Sequence, residues 1–407
     1  EGVQAAKLLV EYGYDALDVD VGTYDAWWWN HPPLYQEKGL YRKYAKLMKE
    51  TVDVPILMAG RMDNPEMASA CIADGTCDII SLGRPLLADP EYVNKLRANQ
   101  YDRVRPCLSC HEGCMGRIQE YSALNCAVNP QACRERDMAY QPICRPKKVL
   151  IVGGGVAGCE AARVLAIRGH EPHLFEAGSQ LGGNLIPGGV PDFKEDDHAL
   201  AAWYARELER LSVPVTLNHK VTASEAMSGG YDAVIVATGS TPKVFSLGDD
   251  ARVHTAADVL TGKADCGSKV VIVGGGLVGC ETALWLAQQG KQVTIVEALD
   301  KLLAVNGPLC HANSEMLEAL IPFHQVQVVT NAKVQRFENG VLTAQMPEGV
   351  HTLEADDVVL CVGYKEEYSL YKELEFSVSE IYCLGDARKV ANIMYAIWDA
   401  FEVANHL

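Results

Sequence analysis

The first hundred residues alternate between stretches with helical spacing of apolar positions and short apolar runs. Helical spacing covers residues 2–12, and short apolar runs follow at residues 16–20, 54–59 and 78–82. Repeated units of a short apolar run and a helical stretch predict a parallel α/β sheet or barrel. Because three units are fewer than the eight of a complete barrel, we expect residues 1–100 to be the C-terminal part of a TIM (β/α)8 barrel. On this interpretation the chain is a fragment that begins within the barrel.

Two longer apolar strands run directly into glycine-rich turns that are followed by helices. The first strand covers residues 148–152 and the second residues 270–273. Each turn has the G-x-G-x-x-G pattern, and an acidic residue follows about twenty residues later, as in the dinucleotide-binding fingerprint. The pattern predicts two Rossmann-like folds whose helix N-termini face a pyrophosphate. The glycines are Gly153, Gly155 and Gly158 in the first turn and Gly274, Gly276 and Gly279 in the second, and the acidic residues are Glu176 and Glu297.

The segments around the two folds indicate which nucleotide each one binds. Gly183 follows the first acidic residue, Gly239 follows a further apolar strand, and Gly385-Asp386 lies near the carboxyl end. In these segments the chain resembles the two-dinucleotide flavoprotein reductases. The resemblance implies that the first fold and the Gly385-Asp386 segment hold FAD, with Asp386 at the ribityl–phosphate region, while the inserted second fold holds the nicotinamide.

The acidic residue of the second fold bears on nucleotide preference. A carboxylate at Glu297 accepts the ribose 2′-hydroxyl and repels a 2′-phosphate, which favours NADH over NADPH. Two nearby cations, Lys291 and Lys301, weigh against this preference unless they are only solvated. We therefore expect NADH, with NADPH as the weaker alternative.

Four cysteines lie between the barrel-like segment and the first nucleotide fold. Their spacing, C-x2-C-x3-C-x11-C, places three thiolates in one loop and a fourth nearby, which is typical of iron–sulfur ligation. A structural zinc site more often uses two C-x2-C pairs; zinc and unligated thiols remain the alternatives. We predict a [4Fe-4S] cluster, and Cys133 is near enough in sequence to compete as the fourth ligand. The predicted ligands are Cys107, Cys110, Cys114 and Cys126.

A glycine–arginine pair follows each of the last two strands of the barrel-like segment. At the end of a barrel, glycine lets backbone N–H groups approach a phosphate, and arginine offers a forked donor. The pairs Gly60-Arg61 and Gly83-Arg84 therefore predict a site for the phosphate of FMN. The alternative is that the glycines only form turns and the arginines are solvated charges.

The loop after the first predicted strand is unusually aromatic. Residues 24–35 contain three consecutive tryptophans followed by Asn30, His31 and two prolines. Loops on this face of a barrel carry active sites, and aromatic walls suit a flat conjugated substrate above a flavin ring. His31 is the candidate that hydrogen-bonds a substrate carbonyl or protonates a carbanion, and Tyr24 is the other candidate. Alternatively, the tryptophans pack in a subunit interface and His31 only orders its loop.

Composition and charge narrow the class of protein. The 407 residues carry a net charge of −17, which argues against a nucleic-acid surface because phosphate binding needs clustered Lys and Arg. The sequence contains no apolar run of about 18 residues and no signal-peptide pattern, so we expect neither a membrane span nor export. The 14 cysteines then fit a reducing compartment. We expect a cytoplasmic enzyme that acts on a small molecule and forms a homo-oligomer, completed by the missing barrel segment.

Over its whole length the chain resembles the old-yellow-enzyme-related iron–sulfur flavoenzymes. The resemblance rests on the glycine–arginine turns, the cysteine loop with its ending at residues 124–130, and the two nucleotide folds in this order. This family includes 2,4-dienoyl-CoA reductase, trimethylamine dehydrogenase, 2-enoate reductases and bile-acid oxidoreductases, and the Trp-rich loop is most similar to the enoate and bile-acid branch. The resemblance implies electron transfer from NADH to FAD, to [4Fe-4S], to FMN and on to an activated C=C bond.

We expect four parts in the chain. An FMN-binding barrel part covers residues 1–100, and a cluster segment with a linker covers residues 101–145. The FAD domain comprises residues 146–245 plus 366–407, and the NAD(P) domain lies at residues 246–365. Family members usually carry a tyrosine proton donor on an early barrel strand, a segment not found here. An electron-transfer subunit resembling the small subunit of glutamate synthase, an amine dehydrogenase and a flavin-binding scaffold without activity stay open.

Overall fold

The computed structural model describes residues 1–248, 250–305, 307 and 309–407. Their contacts divide into two compact units. Unit 1 contains Glu1–Arg134 and Cys310–Met316, and unit 2 contains Glu135–Leu309 and Leu317–Leu407. Parallel strands with intervening helices occur in both units, so the predicted α/β class is confirmed. The segment Cys310–Met316 falls in unit 1 although it was expected within the NAD(P) domain; the four-part division itself stays a prediction.

Unit 1 is organised around a three-stranded parallel sheet in the order β1-β2-β3. Leu17 of the first strand pairs with Ile56 of the second, and Leu57 pairs with Ile79 of the third. The three strands lie within the three apolar runs, with helices between them, as the pattern predicted. The elements are α1 (Gly2–Glu11), β1 (Leu17–Val19), α2 (Trp27–Asn30), α3 (Arg42–Lys49), β2 (Ile56–Met58), α4 (Pro65–Ala73), β3 (Ile79–Ile80), α5 (Arg84–Ala88), α6 (Tyr92–Arg97) and α7 (Met115–Gln119).

The core of unit 1 holds the aromatic loop in place. Ile56 and Met58 on the central strand are fully buried, as is the ring of Tyr41 just before α3. The Tyr41 hydroxyl donates to the carbonyl oxygens of Trp29 and Asn30, at 2.5 and 3.0 Å. A buried hydroxyl needs such partners, and here they fix the end of α2 against the core.

The first sheet of unit 2 has five parallel strands in the order β18-β7-β4-β5-β6. Its central strand β4 is flanked on both sides and is apolar along almost its whole length, as expected for a strand covered on both faces. Its elements are β4 (Lys148–Val152), α8 (Val156–Arg168), β5 (Glu171–Phe175), α9 (Leu185–Gly188), α10 (Glu195–Arg210), β6 (Val215–Thr216), α11 (Ala223–Ser228), β7 (Ala233–Val236), α15 (Ser369–Leu374), β18 (Ile381–Cys383) and α16 (Ile393–His406).

The second sheet of unit 2 repeats this plan, with parallel order β12-β11-β10-β16-β9. A three-stranded antiparallel sheet, β13-β14-β15, is inserted before β16. Strands β8 and β17 pair antiparallel in the two segments that connect the first fold with the second. The remaining elements are β8 (Ser240–Pro242), β9 (Val253–Thr255), α12 (Ala256–Leu260), β10 (Lys269–Val273), α13 (Leu277–Gln288), β11 (Gln292–Val296), α14 (His311–Phe323), β12 (Gln327–Val329), β13 (Lys333–Glu338), β14 (Val341–Met346), β15 (Gly349–Glu354), β16 (Asp357–Leu360) and β17 (Tyr364–Glu366).

Two features of the fold bear directly on function. The strand–turn–helix units β4–α8 and β10–α13 both occur as the fingerprint predicted, so two nucleotide-binding frameworks lie in unit 2. Among the described residues, none of the helices has both the length and the apolar character that crossing a bilayer requires.

Candidate functional site

Four cysteine side chains of unit 1 line one small cavity together with an arginine and a histidine. Helix α7 begins directly after the third cysteine, and the fourth cysteine follows the helix. The N–H of Asn125 donates to the carbonyl oxygen of Gly113 at 2.7 Å, which brings the fourth cysteine beside the loop of the first three. The lining of this space, the cysteine cavity, includes Cys107, Cys110, Cys114, Cys126, Arg84 and His111.

Burial raises the pKa of all four cavity thiols. Desolvation is the largest cause for each, and it raises the pKa of Cys107 to about 12 and that of Cys126 to about 11. The pKa values of Cys110 and Cys114 are raised for the same reason. Since the thiolate is the form that ligates metal, iron or zinc binding here releases protons.

Two kinds of metal site use thiolate ligands, a single zinc ion and an iron–sulfur cluster. Within the part of the chain that the structure describes, no group of three or more His, Cys, Asp or Glu side chains has the geometry for holding a metal ion. Zinc draws four ligands to within about 2.3 Å of one ion, whereas a cluster is held by thiolates that surround it. Cys133 is exposed and does not line the cavity, so the cavity favours Cys126 as the fourth ligand.

A partly buried hydrogen-bond chain runs from the aromatic loop to the cysteine cavity. Arg84 Nη1 donates to the carbonyl oxygen of Pro32 at 2.8 Å and lies 2.7 Å from His111 Nε2. His111 Nδ1 lies 2.6 Å from Asn313 Oδ1. Burial and the neighbouring Arg84 charge hold the pKa of His111 well below its usual value. Sequence reasoning identified Arg84 but missed His111 and Asn313; the position of His111 between two predicted ligands was the available signal.

The other glycine–arginine pair contacts the same loop. The Arg61 side chain is buried, and its Nη1 donates to the carbonyl oxygens of Leu34, at 3.0 Å, and Gln36. Gly60 and Arg61 both have positive φ, +90° and +56°, so the chain turns sharply after β2. The structure therefore gives Arg61 a role in holding the loop, and its role at a phosphate stays a prediction. Gly83 precedes α5 as its N-cap residue.

The two candidate proton donors differ in their surroundings. His31 is half-buried, and within the described residues its buried Nδ1 has no hydrogen-bond partner. Burial lowers its pKa, and Arg84 acts in the same direction. An unsatisfied buried nitrogen costs about 1–3 kcal/mol, so this atom is a fitting contact for a ligand. Tyr24 is 82% exposed, and its ring centroid lies 5.1 Å from that of Trp27 in an edge-to-face arrangement.

The first glycine-rich turn leaves no room for side chains. A Cβ on Gly158 would lie 1.9 Å from the carbonyl oxygen of Gly153, because helix α8 starts tightly against the end of β4. Glu176 accepts from the N–H of Gly154 at 2.7 Å and from the N–H of Gly178 at 2.6 Å. The loop therefore has the tight strand–turn–helix geometry of the dinucleotide fingerprint, with a carboxylate beside it. Gly155 is the N-cap residue of α8 and pairs with Gly182, and Gly183 lies directly beside it.

The carboxyl end of the chain returns to the same fold. Gly385-Asp386 follows β18, whose neighbour β7 leads to Gly239. Asp386 accepts from the Ser240 hydroxyl at 2.8 Å and from the N–H of Ala391 at 3.1 Å. Asp386 is thus fixed at the carboxyl end of the parallel sheet, where such folds bind their ligands.

The second glycine-rich turn repeats the first. A Cβ on Gly279 would lie 1.9 Å from the carbonyl oxygen of Gly274, and Gly276 is the N-cap residue of α13. Glu297 accepts from the N–H of Gly275 at 2.5 Å and from the N–H of Leu299 at 2.7 Å. Each carboxylate oxygen therefore has one partner and keeps a second acceptor position for a ribose hydroxyl.

The two lysines near Glu297 have different surroundings. Lys291 precedes β11, at the opposite end of the strand from Glu297, and its Nζ donates to the carbonyl oxygen of Cys266 at 2.6 Å. Lys301 is exposed. Lys291 would therefore be remote from the 2′ position of a nucleotide bound at Glu297, and it no longer weighs against NADH. Lys301 still does.

One ion pair of unit 2 was not anticipated from the sequence. Lys194 of the first fold lies 3.2 Å from Glu281 on α13 of the second fold and 3.5 Å from Asp197. Burial lowers the pKa of Lys194, but these two carboxylates outweigh that effect and raise it. The pair links the two nucleotide folds directly behind the second glycine-rich turn.

Two family models match separate parts of the chain. The family described as pyridine nucleotide-disulphide oxidoreductase matches residues 147–400. The NADH:flavin oxidoreductase / NADH oxidase family matches residues 1–103. The cysteine cavity therefore lies largely between the two matched segments.

Curated proteins and solved structures are similar over the whole chain. Cinnamate reductase of Clostridium sporogenes is 52% identical over 100% of this chain and 61% of its own length. Bilirubin reductase of Mediterraneibacter gnavus is 34% identical over 100% of this chain and 64% of its own length. The structure of 2-naphthoyl-CoA reductase has a TM-score of 0.92 at 26% identity, with 100% of this chain and 62% of that chain covered.

The chain thus spans less than two thirds of the length of these relatives. Histamine dehydrogenase from Rhizobium shares the fold, with a TM-score of 0.87 at 20% identity over 100% of this chain and 63% of that chain. The order of barrel strands, cysteine loop and two nucleotide folds is the one that the resemblance implied. This chain belongs to the old-yellow-enzyme-related flavoenzyme family of the 2,4-dienoyl-CoA reductase type.

Proposed function

We propose that this chain is the electron-accepting and electron-transferring part of an NADH-dependent reductase that saturates an activated C=C bond. The proposal depends most on one observation: Arg84, from a predicted phosphate turn, also lines the cysteine cavity and contacts the aromatic loop. One residue thus adjoins the sites proposed for FMN, for the cluster and for the substrate.

The cysteine cavity fits a [4Fe-4S] cluster held by Cys107, Cys110, Cys114 and Cys126. Four thiols line the cavity, and four thiolates are the ligands such a cluster uses. When bound, the cluster accepts and passes one electron at a time, while the flavins exchange electrons singly or in pairs. Electrons would pass from NADH to FAD, through the cluster, and to FMN.

The two nucleotide folds fit FAD and NADH. In both turns the helix starts tightly against the end of the strand, so that a Cβ at Gly158 or Gly279 would meet a carbonyl oxygen, and both have a carboxylate fixed beside them. We assign FAD to the first fold because Asp386 returns to it, and NADH to the second because Glu297 is positioned to accept ribose hydroxyls. FMN is assigned to the Gly60-Arg61 and Gly83-Arg84 turns.

We propose an aryl-substituted 2-enoate or its thioester as the substrate. The 52% identical cinnamate reductase and the similar 2-naphthoyl-CoA reductase carry aromatic acyl groups in their names, and three tryptophans precede His31 in this chain. The net reaction balances as enoate + NADH + H⁺ → saturated carboxylate + NAD⁺. A hydride equivalent adds to the β-carbon and a proton to the α-carbon, and the orphaned Nδ1 of His31 is the group we assign to bind the substrate carbonyl.

The first test is the composition of the anaerobically purified chain. We expect about four iron atoms and four sulfides per chain, together with FAD that NADH bleaches in the absence of substrate. Stoichiometric zinc would overturn the cluster assignment, and FAD that fails to be reduced by NADH with a dye as acceptor would overturn the nucleotide assignments.

The second test uses a polypeptide of the relatives' full length that contains this chain, here called the complete polypeptide. We expect FMN and FAD in equal amounts and NADH-dependent reduction of cinnamate. Arg84→Ala should lose FMN while FAD and iron remain, whereas full retention of FMN would place its phosphate elsewhere. Oxidation of an amine with no reduction of any enoate would favour the amine dehydrogenase alternative.

A further inference from the structure

Asn313 joins the cysteine loop from a distant part of the sequence. It lies in the first turn of α14, within the segment Cys310–Met316 that belongs to unit 1. Its Oδ1 is 2.6 Å from His111 Nδ1, and its Nδ2 donates to the carbonyl oxygen of Ser109 at 3.4 Å. All three residues are at most 7% exposed, so water does not readily replace these partners.

The partners of His111 fix which of its nitrogens carries the proton. Arg84 is only a donor, so the 2.7 Å contact with His111 Nε2 requires this nitrogen to accept. Nδ1 then carries the hydrogen and donates to Asn313 Oδ1. The Asn313 amide supports this orientation because its Nδ2 faces a carbonyl oxygen. The neutral Nδ1–H tautomer of His111 therefore satisfies its contacts with both Arg84 and Asn313.

The backbone of the cysteine loop is held in an unusual conformation at the same place. Ser109 and His111 both have positive φ, +49° and +58°, a region that residues other than glycine rarely adopt. The carbonyl oxygen of His111 accepts from the N–H of Gly116 at 2.9 Å. The histidine is therefore fixed at backbone and ring, and the position of its Nε2 is defined.

We propose that Asn313 is a positioning residue that fixes the tautomer of His111 and through it holds the Arg84 guanidinium between the cysteine cavity and the Pro32 carbonyl. The inference rests on the proposed function in that it takes the cavity to hold the cluster. A fixed cation beside the cluster stabilises its reduced, more negative form, so the Asn313–His111–Arg84 chain raises the reduction potential of the cluster.

The test is a double-mutant cycle on the complete polypeptide, read by potentiometric titration and by EPR of the reduced cluster. Asn313→Leu and Arg84→Met should each lower the midpoint potential and change the EPR spectrum. If Asn313 acts through Arg84, the double variant should have the potential of Arg84→Met alone. Ser314→Ala is the matched control, because among the described residues the Ser314 hydroxyl bonds only to the carbonyl oxygen of Cys310 at the same helix turn; the potential of this variant should not move.

Three results would overturn the proposal. The first is an unchanged potential in Asn313→Leu with iron and sulfide retained. The second is an additive effect in the double variant, since Asn313 would then act independently of Arg84. The third is loss of the cluster in Asn313→Leu but not in Arg84→Met, because Asn313 would then support the cysteine loop directly.

A second measurement separates this inference from the cluster assignment. In metal-free protein with ¹⁵N-labelled histidine, His111 should show the Nδ1–H tautomer by NMR, and His111→Gln assigns its signals. The tautomer should be lost or mixed in Asn313→Leu and kept in Ser314→Ala. An Nε2–H tautomer in the unmodified chain would refute the positioning role even if iron binds, whereas absence of iron with the expected tautomer would refute the cluster assignment alone.

Discussion

Replacement of Glu297 by alanine tests the nucleotide assignment most directly. Both oxygens of this carboxylate accept backbone N–H groups, from Gly275 and Leu299, and the side chain is 9% exposed. The carboxylate is thus held in place at the end of β11, where a ribose 2′-hydroxyl would donate to it. The 2′-phosphate of NADPH would meet the same negative charge.

The size of the effect follows from the bond that is lost. A hydrogen bond to a charged group contributes about 1.5–3 kcal/mol, and each 1.4 kcal/mol is tenfold in affinity. Glu297→Ala should therefore weaken NADH binding by about 10- to 150-fold. NADPH should weaken less or improve, because the repulsion is removed together with the bond. The ratio of kcat/KM for NADH to that for NADPH should fall accordingly.

The assay is anaerobic NADH- or NADPH-dependent reduction of a dye by FAD-loaded protein. Glu176→Ala is the matched control, since Glu176 makes the same kind of backbone contacts, with Gly154 and Gly178, in the first fold. It should weaken FAD retention and leave the nucleotide ratio unchanged. An unaltered ratio in Glu297→Ala, or a preference of the unmodified protein for NADPH, would refute the reasoning.

Three further predictions concern the other sites. Cys126→Ser should lose iron while Cys133→Ser retains it, as measured by iron and sulfide content, because of these two cysteines only Cys126 lines the cavity; the reverse result would make Cys133 the fourth ligand. Gly279→Ala should abolish NADH binding but not FAD binding in equilibrium titrations, because its Cβ would meet a carbonyl oxygen at 1.9 Å; unchanged NADH affinity would contradict that steric argument. Burial is the largest cause that lowers the pKa of His170, and the charges of Arg168 and Lys147 act in the same direction. As pH falls through about 6.5, the unfolded chain therefore binds a proton before the folded chain does, and the free energy of unfolding decreases. The urea midpoint should drop between about pH 7.5 and 5.5, and less so in His170→Asn; an equal drop in both proteins would exclude His170 as a cause.

Local patterns predicted the frameworks of this protein well. The apolar runs contained β1, β2 and β3, and the two G-x-G-x-x-G turns lie between strand and helix in the structure. These signals are readable because a strand, a tight turn and a helix N-terminus each depend on residues that are close in sequence. The roles of Arg61 and Arg84 were harder to predict, since a guanidinium donates equally well to a phosphate and to a carbonyl oxygen.

The sequence by itself determined the order of the parts, the α/β class, the two nucleotide folds and the set of cysteines. Only the tertiary structure decided which side chains complete the site. Asn313 meets His111 across 202 residues, and Lys194 meets Glu281 across 87. Such pairs leave no periodic signal, because their contact depends on how whole elements pack. Packing also separated Cys133 from the cavity, since distance along the chain does not fix distance in the fold.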